Sequence, residues 1–227
     1  MNNYGKQALT VLAVATALCF SSAASAQSAK QWTMALGLKK ITPKTDSGFL
    51  TAPTLPGVKN DVGSDTEPVL TIGYMLTDNI GLETFIAPPF KHDQNGDGTI
   101  KGTGTLGTVE SLPVTLLLQY RFMDPKSAWR PYVSGGLTYG YFQKERGSAQ
   151  LTALTNTGSS TPTTFKVDHK WGTTFEVGMS YSFNDKWYAD VSVAKTYLKT
   201  TSRFSTGQTI NVKLDPVSTS IAVGYKF

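Results

Sequence analysis

LPVTLLLQYRF, residues 112–122, is the stretch that decides how this chain is read. Leu112, Val114, Leu116, Leu118, Tyr120 and Phe122 share one parity, while Ser111, Pro113, Thr115, Leu117, Gln119 and Arg121 share the other. A period of two is the signature of a strand, here with one greasy side and one mostly polar side. Its length suits a tilted strand crossing a bilayer, about 9–11 residues, better than an ordinary globular strand of roughly five or six. The greasy side ends in Tyr120 and Phe122, just ahead of the turn signal Asp124-Pro125. A membrane interface favours such rings at a strand end.

Working outward, residues 31–41 alternate in the same way (Trp32, Met34, Leu36 and Leu38 against Thr33, Ala35, Gly37 and Lys39). So do residues 69–76, 80–86, 131–143, 171–183, 187–197 and 210–227. The last of these changes phase. Ile210, Val212 and Leu214 have one parity and Val217, Ile221, Val223, Tyr225 and Phe227 the other, so a bulge at Asp215-Pro216 is expected to bring both halves to one face. Thr77-Asp78-Asn79 and Asn184-Asp185-Lys186 make short turns. Residues 42–66, the stretch after Pro88-Pro89, and residues 144–170 read as long loops.

The sum is an all-β chain: an eight-stranded antiparallel transmembrane β-barrel with long extracellular loops and short periplasmic turns. A soluble barrel of the lipocalin type would invert the faces. Lipid outside is favoured because the polar parity consists of Gly, Ser, Thr and Ala with few charges, which suits a narrow interior. It is also favoured because Trp32, Tyr120, Phe122, Tyr132, Phe183, Trp187, Tyr225 and Phe227 gather at the short-turn end like an aromatic girdle.

Residues 1–26 have the pattern of a secretory signal: Lys6, an apolar run over residues 8–20, and Ala24-Ser25-Ala26 before a cut at Gln27. The run is too short for a membrane anchor. Leu18 ahead of Cys19 is too bulky for a lipidation site, so the mature barrel, residues 27–227, has no cysteine and no disulfide. Removing the signal takes away one of the 21 basic residues and none of the 16 acidic ones, a modest excess that does not point to nucleic acid. The destination is the bacterial outer membrane, and the partners are the lipid bilayer and the phosphates of lipopolysaccharide, attracted by basic residues near the loops.

Several blocks together resemble the OmpW family of small outer-membrane barrels: Pro89-Phe90-Lys91-His92-Asp93, Leu112-Pro113 with Thr115-Leu116-Leu117-Leu118-Gln119-Tyr120, Arg130-Pro131-Tyr132-Val133, Asn184-Asp185-Lys186-Trp187, and Leu214-Asp215-Pro216 with the ending Gly224-Tyr225-Lys226-Phe227. The resemblance implies passage of small hydrophobic molecules through a narrow apolar channel with a lateral exit into the membrane. It also implies phage or bacteriocin docking in some members, which keeps open a non-transporting receptor or adhesion barrel. It further implies that the terminal aromatic, Phe227, is the signal read by the outer-membrane assembly machinery.

On the inward parity, Phe85, Phe142 and Leu198 break the polar rule toward the loop end, as the lining of an apolar channel would. Pro88, Pro89 and Pro113 cannot donate to a ladder and mark a possible lateral opening. Glu83, Arg121, Glu176, Asp190 and Lys226 are expected inside as an interior charge network, because a lone charge there is costly. Asp93-Gln94-Asn95-Gly96-Asp97-Gly98 has the oxygen spacing of half a calcium loop, but Gly104 stands where a bidentate Glu is needed, so a polar loop tip competes with a metal site. His92 and His169 fall on the loop rim with no nucleophile motif beside them, so no catalytic residue, cofactor or metal is assigned.

Overall fold

The computed structural model describes residues 29–227; the expected signal segment and Cys19 lie outside the described residues. The elements in order are β1 (Trp32–Thr42), β2 (Asp46–Ser47), β3 (Val58–Val62), β4 (Asp65–Met75), β5 (Ile80–Ile86), β6 (Phe90–Gly98), β7 (Thr105–Arg121), β8 (Trp129–Gly147), α1 (Ala149–Thr155), β9 (Phe165–Val167), β10 (Lys170–Ser182), β11 (Trp187–Tyr197), β12 (Lys199–Phe204), β13 (Thr209–Lys213) and β14 (Val217–Lys226). The wall runs β1, β4, β5 with β6, β7, β8, β10, β11, β14 and back to β1, all antiparallel. It is a closed eight-stave barrel in which β5 and β6 share one stave. Closure leaves no edge strand, the condition for strands in lipid, and the ladder is interrupted only locally, between β5 and β6.

Parity sets the faces. Leu116 is 56% exposed and its neighbour Leu117 4%, and the same alternation runs through Leu36, Leu38, Leu137, Val177, Val193 and Ile221 on the outside. At the short-turn end the outward rings interlock in pairs: Trp32 on Tyr74 at 4.7 Å, Tyr120 on Phe122 at 5.0 Å, Trp129 on Tyr181 at 4.4 Å, and Tyr225 on both Trp187 and Phe227 at 5.1 Å. Tyr132 is not among them. It is 2% exposed and points inward, because its even number places it on the Ser134 side of β8.

The short turns are held by their own side chains, as Asx and ST turns are. Asn184 Oδ1 accepts from the Lys186 and Trp187 amides at 2.9 and 2.8 Å, Asp124 Oδ1 from the Lys126 amide at 2.8 Å, and Thr77 Oγ1 from the Ile80 amide at 2.9 Å.

The long loops differ from their reading as irregular segments. Residues 42–66 contain β2, β3 and the start of β4, and residues 144–170 contain the end of β8, α1 and β9. The stretch 93–98, expected as a loop tip, is part of β6 and pairs with β3. β2, β13, β12 and β9 form a separate four-stranded sheet above the barrel. Beneath it Leu50, Val58, Ile100, Leu106, Val109, Phe142, Leu151, Phe165, Val167, Leu198, Ile210 and Val212 make the largest apolar core. The helix α1 starts where Ser148 caps the Leu151 amide, and its Leu151 enters that core.

The expected bulge in residues 210–227 is replaced by a break between β13 and β14. Ile210 and Val212 are buried, as are Ala222 and Gly224, while Ile221 and Val223 are exposed. Even numbers therefore point inward in both β13 and β14, with Asp215 between them the exception. The apparent phase change arises because the interior turns apolar above the membrane.

Candidate functional site

A cavity of about 100 Å³ occupies the upper lumen. Its upper wall carries Val109, Phe142, Val167, Leu198, Val212 and Leu214, and its floor carries Lys39, Glu83 and Glu176. Between them a belt of four threonine hydroxyls crosses adjacent staves in series: Thr115 to Thr138 at 2.9 Å, Thr138 to Thr174 at 2.6 Å, and Thr174 to Thr196 at 2.8 Å. The two inner hydroxyls, of Thr138 and Thr174, can each give one hydrogen bond and take another, so they line the lumen without leaving a demanding polar group.

Phe85, Phe142 and Leu198, expected as channel lining, all line this cavity. Pro113 does too, whereas Pro88 is exposed on the wall and Pro89 half-buried. The three prolines meet at one place. The β5–β7 ladder ends at Thr84 opposite Leu116, and the β6–β7 ladder starts at Phe90 opposite Ser111. Residues 112–115 of β7 therefore have no ladder partner on that side, and residues 87–89 belong to neither strand. The loss is partly offset by Thr84 Oγ1, which donates to the Thr115 carbonyl at 2.7 Å. Pro88, Pro89 and Pro113 contribute no N–H at all, which limits the number of stranded donors facing lipid. Behind the break sit Ile41, Val69 and Phe90, the last 0% exposed, with Phe85 and Ala87 packed on them. Phe85 thus touches both the cavity and the apolar backing of the break.

Below the floor the lumen is filled. The Tyr132 ring lies over Gly178 and the Tyr188 ring over Gly224, so that a Cβ built on either glycine falls 2.3 Å from the ring. Of the expected charge network, each member has a neutral partner. Glu83 accepts from Gln119 Nε2 at 3.1 Å, Glu176 from Ser192 Oγ at 3.2 Å and Asp190 from the Tyr132 hydroxyl at 2.8 Å. Arg121 donates to Ser180 Oγ at 2.8 Å and sits 4.9 Å over the Tyr132 ring, and Lys226 donates to Ser182 Oγ at 2.7 Å. Arg130 closes the bottom, donating to the carbonyls of Asp78 at 2.7 Å and Phe122 at 3.3 Å.

Sequence reasoning did not single out Lys39, Arg130 or the threonine belt as features of the site, although the parity it turned inward includes Lys39 and Thr115. All have the inward parity of their strands, so parity alone would have placed them. It also put His92 on a solvated rim. His92 is 4% exposed, with Nδ1 2.7 Å from the Gly63 carbonyl and Nε2 3.1 Å from Ser111 Oγ. The place an orienting carboxylate would take in a triad is filled by a backbone carbonyl, and the imidazole ties the segment before β4 to β7. His169 instead stacks on Tyr141 at 4.5 Å and accepts the Phe142 amide at 3.1 Å.

Comparison with known proteins follows the same lines. Outer membrane protein W of Escherichia coli K12 is 34% identical over 96% of this chain and 99% of its own length. The dibenzothiophene metabolism operon protein PahQ of Pseudomonas aeruginosa is 26% identical over 96% of this chain and 98% of its own. The crystal structure of outer membrane protein OprG from Pseudomonas aeruginosa superposes with a TM-score of 0.79 at 29% identity, covering 91% of this chain and 99% of that one. The family model described as OmpW family matches residues 30–227, and the chain is therefore an outer-membrane β-barrel of the OmpW family.

Proposed function

We propose that this barrel gives small hydrophobic molecules a way across the polar outer surface of the membrane. They enter from the extracellular side, occupy the cavity above the Glu83–Glu176 floor and leave sideways into the bilayer at the break beside Pro88, Pro89 and Pro113. The observation that carries this reading is the coincidence of an apolar cavity with the one stretch of β7, residues 112–115, that lacks a neighbour on the β5–β6 side. The filled lower lumen supports a sideways route, since Arg130, Tyr132 and Tyr188 occupy the straight path to the periplasm. The operon named in PahQ's description concerns an apolar polycycle, which is consistent with such cargo. Transfer of apolar area from water, roughly 25 cal/mol per Å², supplies the driving force. In this reading the barrel is a conduit with no catalytic residue, it sits among lipopolysaccharide phosphates, and Phe227 marks it for the assembly machinery.

Phe85→Asp and Phe142→Asp test the route by placing a charge on the cavity wall. Uptake of a labelled aromatic hydrocarbon by cells producing the variants is expected to drop about tenfold or more, as a desolvated charge opposes an apolar solute. The amount of folded barrel should be unchanged. Uptake equal to the parent chain would remove the channel and leave the docking or adhesion barrel as the better reading.

A further inference from the structure

The floor of the cavity holds a buried acceptor that no donor among the described residues meets, beside a buried cation. Glu176 is 3% exposed; its Oε2 accepts from Ser192, while its Oε1 is buried with no hydrogen-bond donor. Lys39 is 7% exposed; its Nζ lies 4.6 Å over the Phe85 ring, and its charge interacts with those of Glu83 and Glu176. Both face the cavity whose upper wall is aliphatic and aromatic. An acceptor buried without a donor is costly, so the floor favours an occupant able to donate to Glu176 and accept from Lys39.

From this arrangement we propose that the cavity selects amphiphiles with one apolar tail and one neutral head that both donates and accepts a hydrogen bond, of which a primary alcohol is the simplest. The hydroxyl donates to Glu176 Oε1 and accepts from Lys39 Nζ, and the tail lies along Phe142, Leu198 and Val109. A carboxylate head would gain Lys39 but face Glu83 and Glu176, an ammonium head would gain the carboxylates but face Lys39, and either must give up the hydration of a full charge, a cost the neutral head does not carry. Sites built around hydroxyl recognition reject the analogue lacking it far more strongly than an apolar pocket rejects an added group, because the site's own polar groups are then left unpaired. The floor lies directly under the break, since Glu83 is adjacent to Thr84, the last β5 residue laddered to β7. A head seated there leaves its tail at the level of the opening.

The proposal rests on the passage described above, and the two are separable in one experiment. Uptake of radiolabelled 1-decanol and n-decane at equal thermodynamic activity is measured in a Gram-negative host lacking its own chain of this family. Rates are expressed per folded barrel from the heat-modifiable band on gels. The parent chain is expected to speed decanol about tenfold more than decane. Lys39→Met, and the double variant K39M/E176Q that keeps the balance of acidic over basic groups, are expected to bring the ratio of decanol to decane uptake down to about one, with both rates still above those of cells lacking the barrel. Equal acceleration of both compounds by the parent, untouched by either variant, overturns head recognition and leaves the passage standing. Loss of both compounds in the variants overturns it too, making the floor a structural element. Faster uptake of decanoate or decylammonium than of decanol overturns the neutral-head assignment. Acceleration of neither compound by the parent chain overturns passage and selectivity together.

Discussion

The lower and upper halves of the lumen are enclosed by the same staves, yet one is solid and the other hollow. Below Glu83 and Glu176 the inward positions alternate between large rings and glycines that receive them, Tyr132 on Gly178 and Tyr188 on Gly224, with Arg121, Arg130 and Lys226 filling what remains. Above, apart from Phe85, His92 and Phe142, the inward positions are mostly threonines, valines, leucines and other small or medium side chains, and a cavity is left. Strand number fixes the diameter of a barrel, and at eight strands side chains are just able to fill it. Openness is therefore set by side-chain volume at every second position. The break in the wall lies beside the hollow half, where no filling side chain links the staves across the lumen.

The contrast depends first on the two parities having the same sense in both halves, and the largest effect tests that. Leu116, on the lipid face, adjoins the end of the β5–β7 ladder. Leu116→Arg is expected to destabilise the barrel by about 2–4 kcal/mol, as charged substitutions near the midplane do. Equilibrium unfolding in urea from a bilayer reads it directly. A neutral result would mean that this face does not meet acyl chains and that inside and outside are exchanged.

A sharper comparison applies one substitution to each half. In Gly178→Ala the new methyl would lie 2.3 Å from Tyr132 Cζ, and that ring is pinned between Arg121 and Asp190. The expected cost is about 1–3 kcal/mol of overpacking. In Gly140→Ala the methyl meets Leu198 Cδ2 at 3.0 Å and the Phe142 ring at 3.4 Å, beside a cavity into which Leu198 can turn. There the expected cost is below about 1 kcal/mol. Equal costs would show that the upper lumen is as tightly filled as the lower one.

The membrane-spanning strands were legible because lipid demands an unbroken greasy parity, and the sequence supplies it from Leu112 to Phe122 and in the stretches like it. What lay above the membrane was not, because the rule reverses there. Val58, Val62, Ile210 and Val212 are apolar on the inward side and have polar neighbours on the outward side, so a search for a greasy exterior reads them as loop or as a change of phase. Tyr132 was misplaced through trust in residue type over parity. His92 was misplaced through trust in position along the chain, since β6 carries the barrel interior higher than the end of β5 suggests. Phe85, Phe142 and Leu198, which line the cavity, stood out in the sequence because they violate the polar parity. Lys39 and the threonines obey it, and only their convergence in space gives them a part.

The cap above the hollow half supplies the smallest expected effect. Arg203 donates to both carboxylate oxygens of Asp168 at 3.1 Å, joining β12 to the segment between β9 and β10. That guanidinium holds the Asp168 carboxyl below its ordinary value of 3.8. A carboxylate whose folded value is depressed contributes stability above its unfolded value and loses it as pH falls through the folded one. The contribution is therefore complete at neutral pH and disappears only in acid below the ordinary carboxylate range. Because the pair is largely exposed, solvent and salt screen it. Asp168→Asn should raise amide hydrogen exchange in β9 and β12 by no more than about twofold at pH 7 and leave the β10–β11 ladder untouched. A larger change reaching β10 would mean that the cap and the hollow half open as one unit, and that the cavity owes its shape to the sheet above it as much as to the small residues on its wall.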